Sequence, residues 1–281
     1  MVTCGSIKQS DPDNDPIKEN MSLKGKVAVV TGSTTGIGYG IATALAARGS
    51  ALIITGLADQ DTIDRVIGTI KSEHKVDATF VPGDLCSVTS LERLCKKVLE
   101  LYPGGVDILI NNAGIQHLDL VENYPTEKWD SMMAVSLSAP FHLMKAFIPG
   151  MKAKGWGRIV NMSSQMAMIS GPGKAPYSAV KAGLVGLSKG VALEGAAHGV
   201  TCNCICPGFA DAPMFTTTAK KIAKEQNIST EEALRIGFAK NPIGKPVKIS
   251  EIAELAMFMC SEAGASMTGS AVVMDAGFTS Q

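Results

Sequence analysis

The chain lacks the features that would mark a nucleic-acid-binding, membrane-spanning or secreted protein. Its 26 basic and 26 acidic side chains cancel to a formal charge of zero, which argues against a polyanion as main partner. No apolar run approaches the ~18 residues that a spanning helix needs. The first residues lack a basic stretch followed by an apolar one. They are too acidic for a mitochondrial transit peptide, and no glycine follows Met1 to accept a myristoyl group. A cytoplasmic protein is expected, with no nucleic-acid or membrane partner. The seven cysteines show no Cys-x-x-Cys pair, and Cys202, Cys204 and Cys206 alternate as one face of a strand does. Buried reduced thiols are expected there rather than a metal site.

What is present is apolar content, 46% of 281 residues, ample for the core of one large α/β domain. Residues 1 to 22 are polar, with prolines and aspartates, and read as a flexible tail ahead of a domain over 23 to 281. Short β-branched runs (VAVVT, ALIIT, ATFVPGD, VDILINNAG, GRIVNMSS, VTCNCIC, SAVVMDAG) alternate with helical stretches. One of these is a long helix expected from about Pro125 to Lys154, bent near Pro140. Alternation of this kind predicts an α/β fold with a single doubly wound, Rossmann-type parallel sheet of about seven strands and helices on both faces. The stretch from 209 to 245 is rich in threonine, lysine and alanine, carries several turn breakers, and is read as a substrate lid.

The first strand opens directly into GSTTGIG, where Gly32, Gly36 and Gly38 allow a tight turn and close approach of a phosphate to the next helix's free amides. The end of the second strand normally selects the cofactor, an acid binding a ribose hydroxyl and a base accepting a 2′-phosphate. Gly56-Leu57 offers neither, and no arginine or lysine lies between Arg48 and Arg65, which favours NAD. Asp59 reads as a helix cap. Asp84 and Asn111-Asn112-Ala113-Gly114 fall at strand ends, where such a sheet has its ligand crevice, although Asp, Asn and Gly also end strands for local reasons.

Tyr177 and Lys181 are four residues apart, so on a helix they share a face. A cation about 4 to 5 Å from the phenol would supply roughly the 4 kcal/mol needed to bring its pKa toward neutrality. Together with the glycine turn, Asn111 to Gly114, Ser164 and Pro207-Gly208, this pair resembles the classical short-chain dehydrogenase/reductase family over residues 24 to 281. The resemblance implies that Ser164 polarises the substrate oxygen, Tyr177 is the acid/base, and Lys181 binds the nicotinamide ribose and lowers the tyrosine pKa. Ser136 occupies the position of a catalytic asparagine. The implied cofactor contacts are Gly32, Thr34, Thr35, Gly36, Ile37 and Gly38 in the turn, then Leu57, Asp84 and Leu85. Asn112, Ala113, Gly114, Pro207, Gly208 and Phe209 complete them with Tyr177 and Lys181.

Within that family, NNAGIQH, GVTCNCICPGF and DAGFTSQ are similar to the D-3-hydroxybutyrate dehydrogenases, which implies substrate contacts from Gln116, Lys174, Ser164 and Tyr177. The implied protein is a homotetramer that interconverts a secondary alcohol and a ketone with NAD(H). Its substrate would be a 3-hydroxy acid of the hydroxybutyrate type or a larger relative. Four positions depart from the pattern. Ser136 replaces the asparagine, Met166 a substrate-binding histidine, Ala212 a cofactor-binding threonine and Thr218 a lid glutamine. They leave a second reading open, a dinucleotide-binding sensor or interaction protein with weakened catalysis.

Overall fold

The computed structural model describes residues 21–281, so the tail expected over 1 to 22 lies outside the described residues except for Met21 and Ser22. The chain alternates strand and helix: β1 (Val27–Thr31), α1 (Gly36–Ala47), β2 (Ala51–Thr55), α2 (Gln60–His74), β3 (Ala78–Phe80), α3 (Val88–Leu101) and β4 (Ile108–Asn111). After β4 come α4 (Thr126–Met133), a π-helical turn (Ala134–Ser138), α5 (Ala139–Lys154), β5 (Gly157–Met162), α6 (Ala175–Ala196) and β6 (Val200–Pro207). The chain closes with α7 (Pro213–Gln226), α8 (Thr230–Phe238), α9 (Ile249–Cys260) and β7 (Ala271–Met274).

All pairings are parallel and the strand order is β3-β2-β1-β4-β5-β6-β7. The order reverses between β1 and β4, so the loops leaving these two strands diverge and open a crevice at their carboxyl ends. Both faces of the sheet are covered. Ala28, Val30, Leu52, Ile54 and Ile110 pack with Ile41 and Leu45 of α1 and Ile252 and Ala256 of α9. The alternate residues Val29, Ile53, Leu109 and Ile159 pack with Leu94 of α3 and Leu143 and Phe147 of α5. This two-sided burial is why the strands are continuously apolar rather than alternating.

Two expectations change in detail. The long helix is not simply bent. A π turn interrupts it immediately before Pro140, whose ring lacks an N–H and therefore starts α5 cleanly. By length and composition Thr126–Lys154 is apolar enough to cross a membrane. Instead, Leu143, Met144, Phe147 and Met151 are buried in the core. The loosely patterned stretch after β6 is also more ordered than its sequence indicates, because it forms α7 and α8. Phe215 of α7 lies 5.0 Å from Phe209 and 4.9 Å from Phe238 of α8, ring centre to ring centre. A Cβ on Gly237 would meet Phe215 at 2.7 Å.

Asn161 ties the functional ends of the sheet together. It is fully buried, accepts from Asn111 Nδ2 at 2.7 Å on β4 and donates to Ser188 Oγ at 2.8 Å on α6. The cysteines of β6 are buried free thiols, and Ser188 Oγ also lies 3.0 Å from Cys204 Sγ.

Candidate active site

The glycines after β1 are required by geometry. Gly32 and Gly36 have φ of +61° and +58°, in the left-handed region that costs other residues strain. A Cβ on Gly38 would fall 2.2 Å from the Gly32 carbonyl oxygen. Gly38 is buried behind the residues that line the crevice, where it lets α1 press against the turn. Asn112 fixes the same turn from β4, donating through Nδ2 to the carbonyls of Thr31 (2.9 Å) and Gly32 (3.1 Å). Thr31, which the sequence did not single out, accepts through Oγ1 from the amides of Asn112 and Ala113, both at 3.0 Å. The cap of α1, Thr35, makes no side-chain hydrogen bond, and the first turn holds no acid. Free amides at a positive helix end, under a cradle that side chains would fill, fit a pyrophosphate.

From that turn a cavity of about 670 Å³ runs along the strand ends. Thr34, Thr35, Gly36, Ile37, Leu57, Asp84 and Leu85 line it toward one end of the sheet. Asn112, Ala113, Gly114, Pro207, Gly208 and Phe209 line it with Ser164, Tyr177, Lys181, Gln116 and Lys174. Leu57 is 91% exposed at the end of β2. Asp84 has a local role as well, accepting from the Cys86 amide at 2.9 Å, and Asp59 caps α2 through the Thr62 amide at 2.8 Å.

Sequence reasoning missed several lining residues. Lys128, Ser131 and Val135 reach the cavity from α4 and the π turn, and Met214 and Phe215 from α7. The spacing of the first three, i, i+3 and i+7, was the available signal.

Tyr177 and Lys181 lie one turn apart on α6, as expected. Both are buried, and the Lys181 ammonium donates to the Met162 carbonyl at 2.7 Å. A Cβ on Gly114 would sit 3.5 Å from this ammonium and 3.6 Å from Ser136 Oγ, so both groups lie close to Gly114. Ser136 lies in the π turn behind the cavity wall, 1% exposed, and its hydroxyl has no partner. It does not line the cavity, so any part it plays runs through a neighbour.

Against the expected lowering, burial raises the Tyr177 pKa in the ligand-free chain, opposed by a hydrogen bond from Ser164. The Lys181 ammonium is turned to the Met162 carbonyl and lies 5.6 Å from the phenol ring centre. Burial acts on it too, lowering its pKa from 10.5 to about 8, while Cys204 and Cys206 weakly oppose the shift.

A sheet that reverses strand order over a glycine turn, with Ser, Tyr and Lys at the far end of one crevice, defines an oxidoreductase of the nicotinamide-dinucleotide-binding class. Residues 26–223 match the short chain dehydrogenase family model, and the chain belongs to that family, whose members act on CH–OH groups. It is 39% identical to D-beta-hydroxybutyrate dehydrogenase of Cupriavidus necator over 92% of this chain and all of that protein. It is 37% identical to the Rhizobium meliloti enzyme of the same name, over 91% and 99%. L-sorbose reductase from Gluconobacter frateurii, solved with NADPH and L-sorbose, superposes with a TM-score of 0.88 at 29% identity, covering 93% of this chain and 99% of that one.

The Lys181 shift has a pH signature. Below about pH 8 the ammonium is charged in folded and unfolded chains alike, and its desolvation counts fully against the fold. Between about 8 and 10.5 only the unfolded chain keeps the proton, so stability rises with pH. Thermal unfolding of ligand-free wild type should therefore gain over this range relative to Lys181→Met. Parallel pH profiles for the two proteins would contradict the assignment.

Proposed function

We propose that this chain is an NAD(H)-dependent dehydrogenase interconverting an anionic 3-hydroxy acid and its 3-keto acid. The observation that carries the reading is Lys174. The residue lines the same cavity as Tyr177 and Ser164, and its ammonium lies 5.6 Å over the Phe209 ring with no carboxylate partner among the described residues. Burial lowers its pKa, and Lys240 adds to the shift. A cation held at this cost is offset by a substrate anion, and the Gln116 amide adds a donor for the same carboxylate.

A bound nicotinamide dinucleotide supplies the hydride donor or acceptor. Ser164 holds the substrate oxygen and Tyr177 exchanges its proton. Lys181 binds the nicotinamide ribose, and Ser136 acts as a positioning residue, its free hydroxyl serving the Lys181 side of the proton path. Of the lysines lining the cavity, Lys128, Lys174 and Lys181, none comes from the glycine turn or the end of β2. That absence supports NAD over NADP.

Met166 is buried where the resembled group has a polar residue, and with Met214 and Phe215 it gives the cavity an apolar wall. The reading is therefore a substrate larger than 3-hydroxybutyrate, with 3-hydroxybutyrate itself a poor or modest one. α7 and α8 act as its lid. By the same resemblance the protein is a homotetramer. The weakened binding module is not favoured, because Ser164, Tyr177 and Lys181 are all present and face one cavity.

Three measurements test this reading. Tyr177→Phe keeps the ring and removes the proton donor, so turnover should fall by about 10² to 10⁴ with dinucleotide binding retained; a largely active variant would remove Tyr177 from its role. In direct titration at moderate salt NADH should bind more tightly than NADPH, and the reverse order would overturn the NAD assignment. Lys174→Ala should raise KM far more for acids than for neutral alcohols. Equal effects on both would take the carboxylate role away from Lys174.

A further inference from the structure

A second cavity, of about 510 Å³, lies at the opposite edge of the sheet, where β5 and β6 begin. Two glycines open it. Gly155 and Gly199 take φ of +65° and +68° in the turns that enter these strands, and a Cβ on Gly199 would collide with the Gly155 carbonyl oxygen at 2.2 Å. The strand register then brings Arg158 beside Thr201, because the two are paired residues of β5 and β6.

Both side chains are buried, at 3% and 5% exposure, and each has a polar atom without a partner: Arg158 Nε and Thr201 Oγ1. The rest of the guanidinium is committed. Nη1 donates to the carbonyls of Gly157 (3.0 Å) and Gly199 (3.2 Å), and Nη2 reaches Glu262 Oε1 only at 3.4 Å. Trp156 forms one wall. Its ring carries the Arg158 guanidinium at 4.4 Å and the Lys26 ammonium at 3.7 Å, and its Nε1 donates to Glu262 Oε1 at 2.9 Å. Thr268, on the loop before β7, accepts the Cys202 amide at 3.1 Å and has its own hydroxyl proton free to donate.

Arg158 is the one cation among the residues lining the cavity, and the one carboxylate there, Glu262, is an arm whose side chain is 61% exposed and whose contact with Nη2 is long, at 3.4 Å. Unpaired buried donors are costly to a fold, and these two belong to paired residues of adjacent strands that both line the cavity. We propose that this cavity is a binding site for a small oxyanion, a phosphate or carboxylate group, which takes the Arg158 and Thr201 donors when the Glu262 arm swings away. The site is separate from the active-site crevice, since β5 and β6 run from it to Ser164 and Pro207 at their other ends. It would admit an anionic effector without competing with substrate.

The test uses the full chain saturated with NADH, so that the pyrophosphate cradle is filled, and titrates inorganic phosphate or acetate against chloride at matched ionic strength. Binding is read by calorimetry and by the rise in unfolding temperature. Saturable binding of one oxyanion, about tenfold weaker in the near-isosteric Thr201→Val and several-fold tighter in Glu262→Gln, is the expected result. The preferred anion distinguishes a phosphate from a carboxylate source. Arg158→Met should abolish binding; if that variant does not fold, Thr201→Val still decides. No saturable binding would mean that ordered water alone fills the cavity, and equal affinity in wild type and Thr201→Val would place the anion elsewhere. Either result overturns the proposal.

Discussion

The hydrogen bond from the Lys181 ammonium to the Met162 carbonyl is the constraint on which the active site depends. A charge enclosed this completely can stay only if its donors are met, and the carbonyl that meets it belongs to the last residue of β5. The bond pins α6 against the sheet at the point where Ser163 and Ser164 leave it. Ser163 Oγ closes the same joint from the other side, donating to the Lys181 carbonyl at 2.9 Å. With the lysine fixed, Tyr177 one turn earlier can only face the crevice.

The crevice exists because close packing at one place permits an opening at another. Gly38 brings α1 down onto the turn, Asn112 bonds that turn from β4, and Asn161 links β4 through β5 to α6. These contacts join the dinucleotide end to the Ser-Tyr-Lys end through short hydrogen bonds inside the sheet. The segment after β6 is built differently: α7 and α8 meet through Phe215 and Phe238, Phe215 also touches Phe209, and few of the helices' residues are buried. Packing of that kind opens at lower cost than the sheet core.

The two edges of the parallel sheet also differ in chemistry. At the carboxyl edge Thr31 and Asn112 brace the crevice by hydrogen bonds, while at the amino edge Asp107 pairs with Lys154 and Arg158 with Glu262. The first pair is fully engaged, with Asp107 Oδ2 also accepting from the Val27 amide at 2.8 Å. The second leaves donors unmatched, which is what distinguishes that corner from ordinary structural ion pairing.

Much of this protein was determined by the sequence alone, because local signals were strong. The runs VAVVT and ALIIT have strand boundaries set by flanking glycines and turns, and the alternation of elements fixed a parallel sheet. Tyr177 and Lys181 needed only helical spacing to share a face. Tertiary structure decided what depends on residues far apart in the chain. The direction of the Tyr177 shift follows from burial under neighbours that no local pattern reveals. The π turn at Ser136 lies between α4 and α5, and α7 is tied to Phe209 and to α8 by contacts of Phe215. Gly38 looked like a cofactor contact because glycine spacing reports only that backbone comes close. Which partner it approaches, a phosphate or the Gly32 carbonyl, is a fact of three dimensions.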